Sequence, residues 1–199
     1  MKWLYSFALA VSMACPALAD EAGDAVFAER GPWDLGGQEL VWQMDAKGPT
    51  AGGFTPIANG QVTLTEITEN GEPALQLVES SDLATHRIGP HSVESGDPAL
   101  LFFLERTSRD MARLTGGNPF YIRNRMKDSL FRAGELQQGD RGQIAVFRPF
   151  ADDPNKDRMG GFESLELTFT LSDPKLPIQS MVAATDGDLP GYRFSMVLQ

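Results

Sequence analysis

The sequence has almost no cysteine: Cys15 is the only one among its 199 residues. A single cysteine cannot close an internal disulfide or hold a metal through several thiolates. The sequence also lacks a phosphate-binding loop, a G-x-G-x-x-G turn, an H-E-x-x-H helix and a G-x-S-x-G nucleophile elbow. The sequence therefore indicates no particular reaction. An enzyme is not excluded, because catalytic groups can lie far apart along a chain and form no motif.

Basic residues are also scarce, with 17 Lys and Arg against 27 Asp and Glu and a net charge of −10. Nucleic-acid binding needs a surplus of Lys and Arg to neutralise phosphates, so we expect no nucleic-acid partner. The cations are concentrated in a basic segment from Glu105 to Arg132, which holds seven basic and three acidic residues. We expect this segment to pair with acidic flanks inside the fold, and an external anionic partner is the alternative.

The start of the sequence has the layout of a secretory signal peptide. Lys2 precedes an apolar run over residues 4–14, and small residues at 17–19 form a typical cleavage site. The run is too short to span a bilayer, which needs about 20 residues. We therefore expect residues 1–19 to be removed after Ala19 and the protein to be exported to the bacterial periplasm. Lipid anchoring at Cys15 is a less favoured alternative.

Cleavage would leave two regions. Residues 20–37 are acidic, rich in small residues and without periodicity, so we expect a mobile N-terminal segment. Residues 38–199 contain no linker, repeat or low-complexity stretch. Their length suits a single domain with one hydrophobic core.

Strand signals lie on both sides of a helical region. Short or alternating apolar runs predict strands at residues 39–45, 61–67, 73–79, 142–150, 162–171, 176–184 and 192–199. Asn70-Gly71 suits a tight hairpin, and the continuous apolar run 98–106 predicts one more strand, covered on both faces. Helices follow at about 107–116 and 119–133. We predict an α+β fold, in which a curved antiparallel sheet of about seven to nine strands carries these two consecutive helices.

The second predicted helix carries two apolar columns. At helical spacing, one column contains Pro119, Ile122, Met126, Ser129, Leu130 and Ala133. Phe120 and Phe131 form the other column, with Arg123 and Lys127 between the two. If both columns are buried, either the sheet curves around this helix or the preceding helix covers the second column. A ligand carried beside Phe120 and Phe131 is the alternative.

Several polar residues are candidates for contact with a partner. Tyr121, Arg125 and Arg132 are expected to face outward from the second helix. Arg106 ends the predicted strand 98–106 and Arg148 interrupts another, and each could bind a carboxylate or phosphate through its forked donors. Pairing with an acid inside the protein is the more frequent use of such an arginine. The candidate binding residues are Phe120, Tyr121, Arg125, Phe131, Arg132 and Arg148.

Asp153, Asn155 and Asp157 alternate as in the first half of a calcium-binding loop. Arg158 stands where the turn glycine belongs, and Ser164 replaces the glutamate expected at the twelfth position. The pattern is equally typical of a polar connection between strands. We therefore favour a polar connection, and a calcium site in this loop is the alternative.

His86 and His91 are the only histidines, five residues apart across a Gly-Pro break. This spacing fits neither a helical zinc pair nor an alternating pair on a strand. The simplest interpretation is that both histidines lie in a loop and have no catalytic role. A hydrolase that uses one of them with a nearby acid is the alternative, and no cofactor is predicted.

Two stretches carry a resemblance to other proteins. They are LLFFLERTSRDMARLTGGNPFYIRNRMKDSL at residues 100–130 and VFRPFADDPNKDRMGGFESLELTFTLS at residues 146–172. Through them the chain resembles a family of uncharacterised exported bacterial proteins over about residues 55–199. The resemblance implies a shared core but no functional residue. A looser similarity of architecture connects the predicted fold with periplasmic lipoprotein carriers, whose curved sheets hold acyl chains.

These observations favour an exported, non-enzymatic envelope protein that binds an apolar ligand or a protein partner between sheet and helices. The periplasmic hydrolase is one alternative. The second is a structural module with no small ligand, which closed internal pairs of Arg106, Arg123 and Arg148 would support.

Overall fold

A computed structural model of the chain describes residues 21–50, 52–186 and 191–199. The predicted signal peptide, with its cleavage point and Cys15, lies outside the described residues. Nine strands form one antiparallel sheet, and the described residues include three α-helices. In chain order the elements are α1 (Glu21–Val26), β1 (Leu40–Lys47), β2 (Ile57–Glu69), β3 (Glu72–Ser80), β4 (Thr85–Ser92), α2 (Pro98–Thr115), α3 (Pro119–Arg132), β5 (Gly134–Gly139), β6 (Gly142–Phe147), β7 (Glu166–Leu171), β8 (Ser180–Ala184) and β9 (Arg193–Leu198).

The sheet consists of two meanders joined at its centre. Its strand order is β4-β3-β2-β1-β9-β8-β7-β6-β5, and every neighbouring pair is antiparallel. The first meander ends at one edge with β4 and the second begins at the other edge with β5. Helices α2 and α3 therefore carry the chain from one edge of the sheet to the other. The α+β fold with a curved antiparallel sheet is confirmed.

The core lies between the sheet and the helices. Phe103 of α2 contacts Phe169 of β7 edge to face and stacks on Phe194 of β9, at ring-centre distances of 5.7 and 5.3 Å. Trp42 of β1 is buried, and its indole N–H donates to the carbonyl oxygen of Ile178 at 2.9 Å. Aromatic pairs of this geometry add to the free energy gained from burial, so these contacts hold α2 over the centre of the sheet.

Two sequence predictions are confirmed in detail. Asn70 and Gly71 have φ angles of 52° and 88° and join β2 to β3 in the predicted hairpin, with Glu69 opposite Glu72. The alternation in residues 162–171 places Leu165, Leu167, Phe169 and Leu171 in the core. Both successes depend on local signals, a turn that needs positive φ angles and a strict period of two.

The predicted strand at residues 98–106 is wrong, because these residues form the first half of α2. Asp97 caps the helix: its side chain accepts a hydrogen bond from the backbone N–H of Leu100 at 3.0 Å. Pro98 occupies the first turn, where no N–H is needed. A short continuous apolar run does not distinguish a strand from a covered helix, and here the cap decides for the helix.

The segment 20–37, expected to be mobile, packs where it is described. Val26 of α1 and Trp33 are buried in the core, and α1 contacts the far end of the sheet around β5. The indole N–H of Trp33 donates to the carbonyl oxygen of Gly96 at 2.8 Å. How mobile the segment is in solution stays a prediction.

Candidate functional site

A groove separates α2 from the edge of the sheet formed by β3 and β4. Its volume is about 660 Å³, within the range of small-molecule sites. We name it the α2 groove. Its lining residues are Thr55, Ile57, Glu79, Ser81, Leu83, Ala84, His86, Ile88, His91, Pro98, Leu101, Phe102, Glu105, Arg106, Arg109, Asp110 and Arg113.

Large apolar side chains surround the mouth of the α2 groove. Leu83, in the turn between β3 and β4, is 64% exposed, and Leu101 of α2 is 55% exposed. Ile88 of β4 and Phe102 of α2 are half-buried beside them. Exposed apolar area costs free energy in water, so a concave site lined in this way favours an apolar occupant.

The inner wall of the α2 groove holds a network of charged side chains. Arg106 Nη1 donates to Glu79 Oε1 at 2.6 Å, and Arg106 Nε donates to Asp110 Oδ2 at 3.2 Å. The Tyr192 hydroxyl donates to the same Asp110 oxygen at 3.2 Å. The guanidinium also lies 5.8 Å from the ring centre of Phe194. Arg106 therefore has partners on several sides, which fixes α2 to β3 and β9.

Burial shifts the titration of this network. It raises the pKa of the Asp110 carboxyl above its usual value, and the opposing effects of Arg106 and Tyr192 are smaller. Burial and the neighbouring Asp110 charge raise the pKa of Tyr192 well above its usual value. Tyr192 consequently stays a neutral hydrogen-bond donor at physiological pH.

Both histidines lie on strand β4, and the expected loop is wrong for them. His86 stands opposite Glu79 in the β3–β4 register, and the buried Nε2 of His91 has no hydrogen-bond partner. Ser81 also lines the groove, but its hydroxyl belongs to the β3–β4 turn, where it accepts from the Leu83 N–H at 3.3 Å. Among the described residues, neither histidine is hydrogen-bonded to a hydroxyl or carboxylate as a hydrolase would require.

Phe120 and Phe131, the second apolar column of α3, do not line the α2 groove. Phe120 is 70% exposed, with the Arg123 guanidinium 5.7 Å from its ring centre. Phe131 is 51% exposed and stacks on Phe27 at 4.7 Å. The first column is buried as predicted at Ile122, Met126, Ser129 and Leu130, but the expected cover over the second is absent from the described structure.

Tyr121 and Arg125 do not simply face outward, because Asp153 holds both of them. The Tyr121 hydroxyl donates to the two Asp153 oxygens at 2.7 and 2.8 Å, and Arg125 Nε donates to Oδ2 at 2.6 Å. The side chain of Asp153 is completely buried. Burial raises the pKa of Asp153, but hydrogen bonds from the Asn155 N–H, Tyr121 and Arg125 outweigh it and lower that pKa below its usual value.

The Asp153 contacts also bear on the suggested calcium loop. Its carboxylate already accepts from three donors of the protein, so it has little capacity left for a cation. Within the described ranges, no three side chains of the His, Cys, Asp and Glu types are grouped so that they could hold a metal ion.

Within the described part of the chain, the other arginines named from the sequence have internal partners, with the exception of Arg132. Arg148 bridges Glu135 and Glu166 at 2.9 and 2.8 Å, and Arg123 pairs with Glu105 at 2.8 Å. Arg132 is exposed at the end of α3. Arg106, Arg123 and Arg125 therefore pair with acidic residues inside the fold, as expected for the basic segment.

Sequence reasoning missed the α2 groove itself. Glu79 and Tyr192 are distant in sequence from Arg106, and only the pairing of strands brings them together. Asp110 was detectable, because it follows Arg106 by four residues and such pairs meet on a helix. Leu83 was a weaker signal, a lone large apolar residue in the polar turn SSDLAT.

No protein-family model matches the chain, and the search of curated proteins returns no match. Both results are consistent with the uncharacterised family that the sequence resembles. In the part of the chain that the structure describes, no helix has both the length and the hydropathy needed to cross a membrane.

Proposed function

We propose that the protein is a non-enzymatic binding protein of the bacterial envelope, which holds an apolar ligand in the α2 groove between sheet and helices. The observation that carries this proposal is the groove of about 660 Å³ with exposed Leu83 and Leu101 at its mouth. Sites for small molecules are typically concave, mainly apolar and equipped with a few fixed polar groups. Export to the periplasm is part of the proposal and is supported by the signal-like sequence of residues 1–19.

The polar wall fits a binding role better than a catalytic one. Arg106 is fully engaged with Glu79 and Asp110, so neither carboxylate is free to act as a general base. The fixed network gives the apolar site a rigid back wall. Rigid walls reduce the entropy that a protein loses when it binds a ligand.

The structural module is the second candidate, because the internal pairs of Arg106, Arg123 and Arg148 favour it. The two candidates differ in what they require of the groove. A module without a small ligand gains nothing from large apolar side chains around an open concave site, whereas a binding protein uses them.

The test is a fluorescence titration of the purified mature protein with the neutral probe N-phenyl-1-naphthylamine, together with native mass spectrometry of gently purified material. Leu83→Ser and Leu101→Ser should each weaken probe binding about five-fold or more, because each removes apolar contact area from the groove. Leu176→Ser is the matched control, since Leu176 is 52% exposed and does not line the groove.

Binding that is saturable, sensitive to both groove variants and unaffected by Leu176→Ser would support the proposal. Absence of saturable binding, together with no co-purifying small molecule, would favour the structural module. Probe binding that all three leucine variants reduce equally would point to adsorption on exposed apolar surface and would contradict a groove site.

A further inference from the structure

The exposed apolar side chains of this protein are concentrated on its helices. Among the described residues six large apolar side chains are exposed, and Leu101, Phe120 and Phe131 lie on α2 and α3. Phe120 is the most exposed of the six. On a protein that is otherwise well packed, this concentration marks an interaction surface.

The α3 residues share one face. At 100° per residue, Phe120, Arg123, Lys127 and Phe131 fall within about 80° of the helix circumference, and all four are exposed. The buried stripe centred on Met126 lies on another side of α3. Phe27 extends the face by stacking on Phe131. Two aromatic side chains thus flank two cations on one exposed face of α3.

A salt bridge connects this face to α2. Arg123 Nη2 lies 2.8 Å from an oxygen of Glu105, and Leu101 precedes Glu105 by one helical turn. Arg109, one turn further along, pairs with Glu105 as well. We define the helical patch as Leu101, Phe120, Arg123, Lys127 and Phe131. The patch borders the α2 groove, because Leu101 belongs to both and Glu105, the partner of Arg123, lines the groove.

The charge of the sequence is unevenly distributed, although several arginines of the basic segment pair with acids inside the fold. The basic segment, Glu105 to Arg132, carries seven basic and three acidic residues, whereas the whole chain has a net charge of −10. Lys127 is exposed and adds positive charge on the same face of α3 as the two phenylalanines. An anionic surface would attract the helices and repel the rest of the molecule, which would orient the protein with the helical patch forward.

We propose that the helical patch docks on the surface of a membrane that contains anionic phospholipids. Phenylalanine and leucine side chains enter the boundary between headgroups and acyl chains, while lysine and arginine side chains contact the phosphates. Two exposed phenylalanines that flank two cations on one helix face suit a lipid interface better than an acidic protein, which would need carboxylates at matched positions. Docking does not depend on ligand binding in the α2 groove, although it would place the mouth of the groove beside the lipid.

The test is co-sedimentation of the purified protein with phosphatidylcholine vesicles, with and without phosphatidylglycerol, at low and at high salt. The proposal expects binding only to vesicles that contain phosphatidylglycerol, and weaker binding at high salt. Lys127→Glu should reduce the partition coefficient at least about five-fold, since a membrane-facing cation contributes about five-fold.

Phe120→Ser combined with Phe131→Ser should also lower the partition coefficient, and Leu176→Ser should leave it unchanged. The Phe120→Trp variant gives a second readout, because its fluorescence reports insertion directly and binding need not be weakened. Its added fluorescence should shift to the blue on vesicles with phosphatidylglycerol and be quenched by brominated lipid, because Trp33 and Trp42 are already buried.

Equal binding to neutral and anionic vesicles, or no binding to either, would overturn the proposal. So would a wild-type partition coefficient for the charge-reversal variant. Leu83→Ser separates this proposal from the proposed function, since it should weaken probe binding in the groove and leave vesicle binding intact. Sedimentation that occurs only when an acidic protein is added would assign the patch to a protein partner instead.

Discussion

Arg30 and Asp97 form a buried ion pair, in which Arg30 Nη1 lies 3.6 Å from Asp97 Oδ2. Arg30 also donates to the carbonyl oxygens of Ala25 and Val26, which end α1. Asp97 caps α2 by accepting from the Leu100 N–H. The pair therefore joins the end of one helix to the start of another across 67 residues of sequence (97 minus 30), and it secures the N-terminal segment to the domain.

Two substitutions of Asp97 should distinguish its contribution as the cap of α2 from its contribution as the charged partner of Arg30. Asp97→Ala removes both and leaves the Arg30 charge unpaired, so it should lower the free energy of unfolding by about 3–5 kcal/mol. Asp97→Asn keeps an oxygen that can cap α2. Its free energy of unfolding should therefore be about 1 kcal/mol higher than that of Asp97→Ala. Urea unfolding of the purified variants measures both values. A loss below about 1 kcal/mol for Asp97→Ala would show that the pair does not hold the segment.

The cluster of Tyr121, Arg125 and Asp153 should stabilise the fold in a pH-dependent way. Asp153→Asn should lower the free energy of unfolding at neutral pH by about 1–3 kcal/mol, because the charged acceptor shared by three donors is lost. The folded-state pKa of Asp153 is lowered, so its contribution is present above the unfolded pKa of about 3.9. That contribution is lost as the pH falls through the folded pKa.

Unfolding measured at a series of pH values checks this expectation. The difference between wild type and Asp153→Asn should shrink at acid pH. Tyr121→Phe is the milder companion variant, because it removes only the hydroxyl and leaves the Arg125 pair. A difference that stayed constant down to low pH would mean that the charge of Asp153 contributes nothing.

Asp110 should show the opposite pH dependence. Its folded-state pKa is raised by burial, so the stability linked to its protonation is fully present below the unfolded pKa and is lost as the pH rises through the folded pKa. Relative to Asp110→Asn, wild type should therefore lose stability as the pH rises above about 4, whereas the contribution of Asp153 changes below about 4 and is complete above it. The two variants, measured side by side in urea, control for general effects of pH. Parallel curves for both would contradict the assignment for Asp110.

The sequence predicted those parts of the fold that depend on neighbouring residues. Asn70-Gly71 defines a turn by itself, and the alternation around Phe169 defines which side of a strand is buried. The apolar run after Asp97 was misread because its periodicity is ambiguous over nine residues. Its cap was the decisive local signal, and it lies in the residue just before the run.

The site was harder to predict, because it depends on which strands become neighbours. The α2 groove brings Glu79 of β3 and Arg106 of α2 together, and Tyr192, the residue just before β9, completes the network. The exposed side of α3 was also misjudged. Hydrophobic periodicity identifies apolar columns but does not show whether the protein has material to cover each one, and nothing in the described structure fully covers Phe120.

The order of strands also constrains how the chain can fold. Strand β9, the last described strand, pairs with β1 in the middle of the sheet, with Trp42 opposite Leu198. The centre of the sheet therefore cannot form until nearly all of the described chain is available. Contacts between such distant residues slow folding, because the chain must close a long loop before they stabilise it. Until then β1 has an open edge on one side, and an unpaired strand edge is prone to pair with other chains.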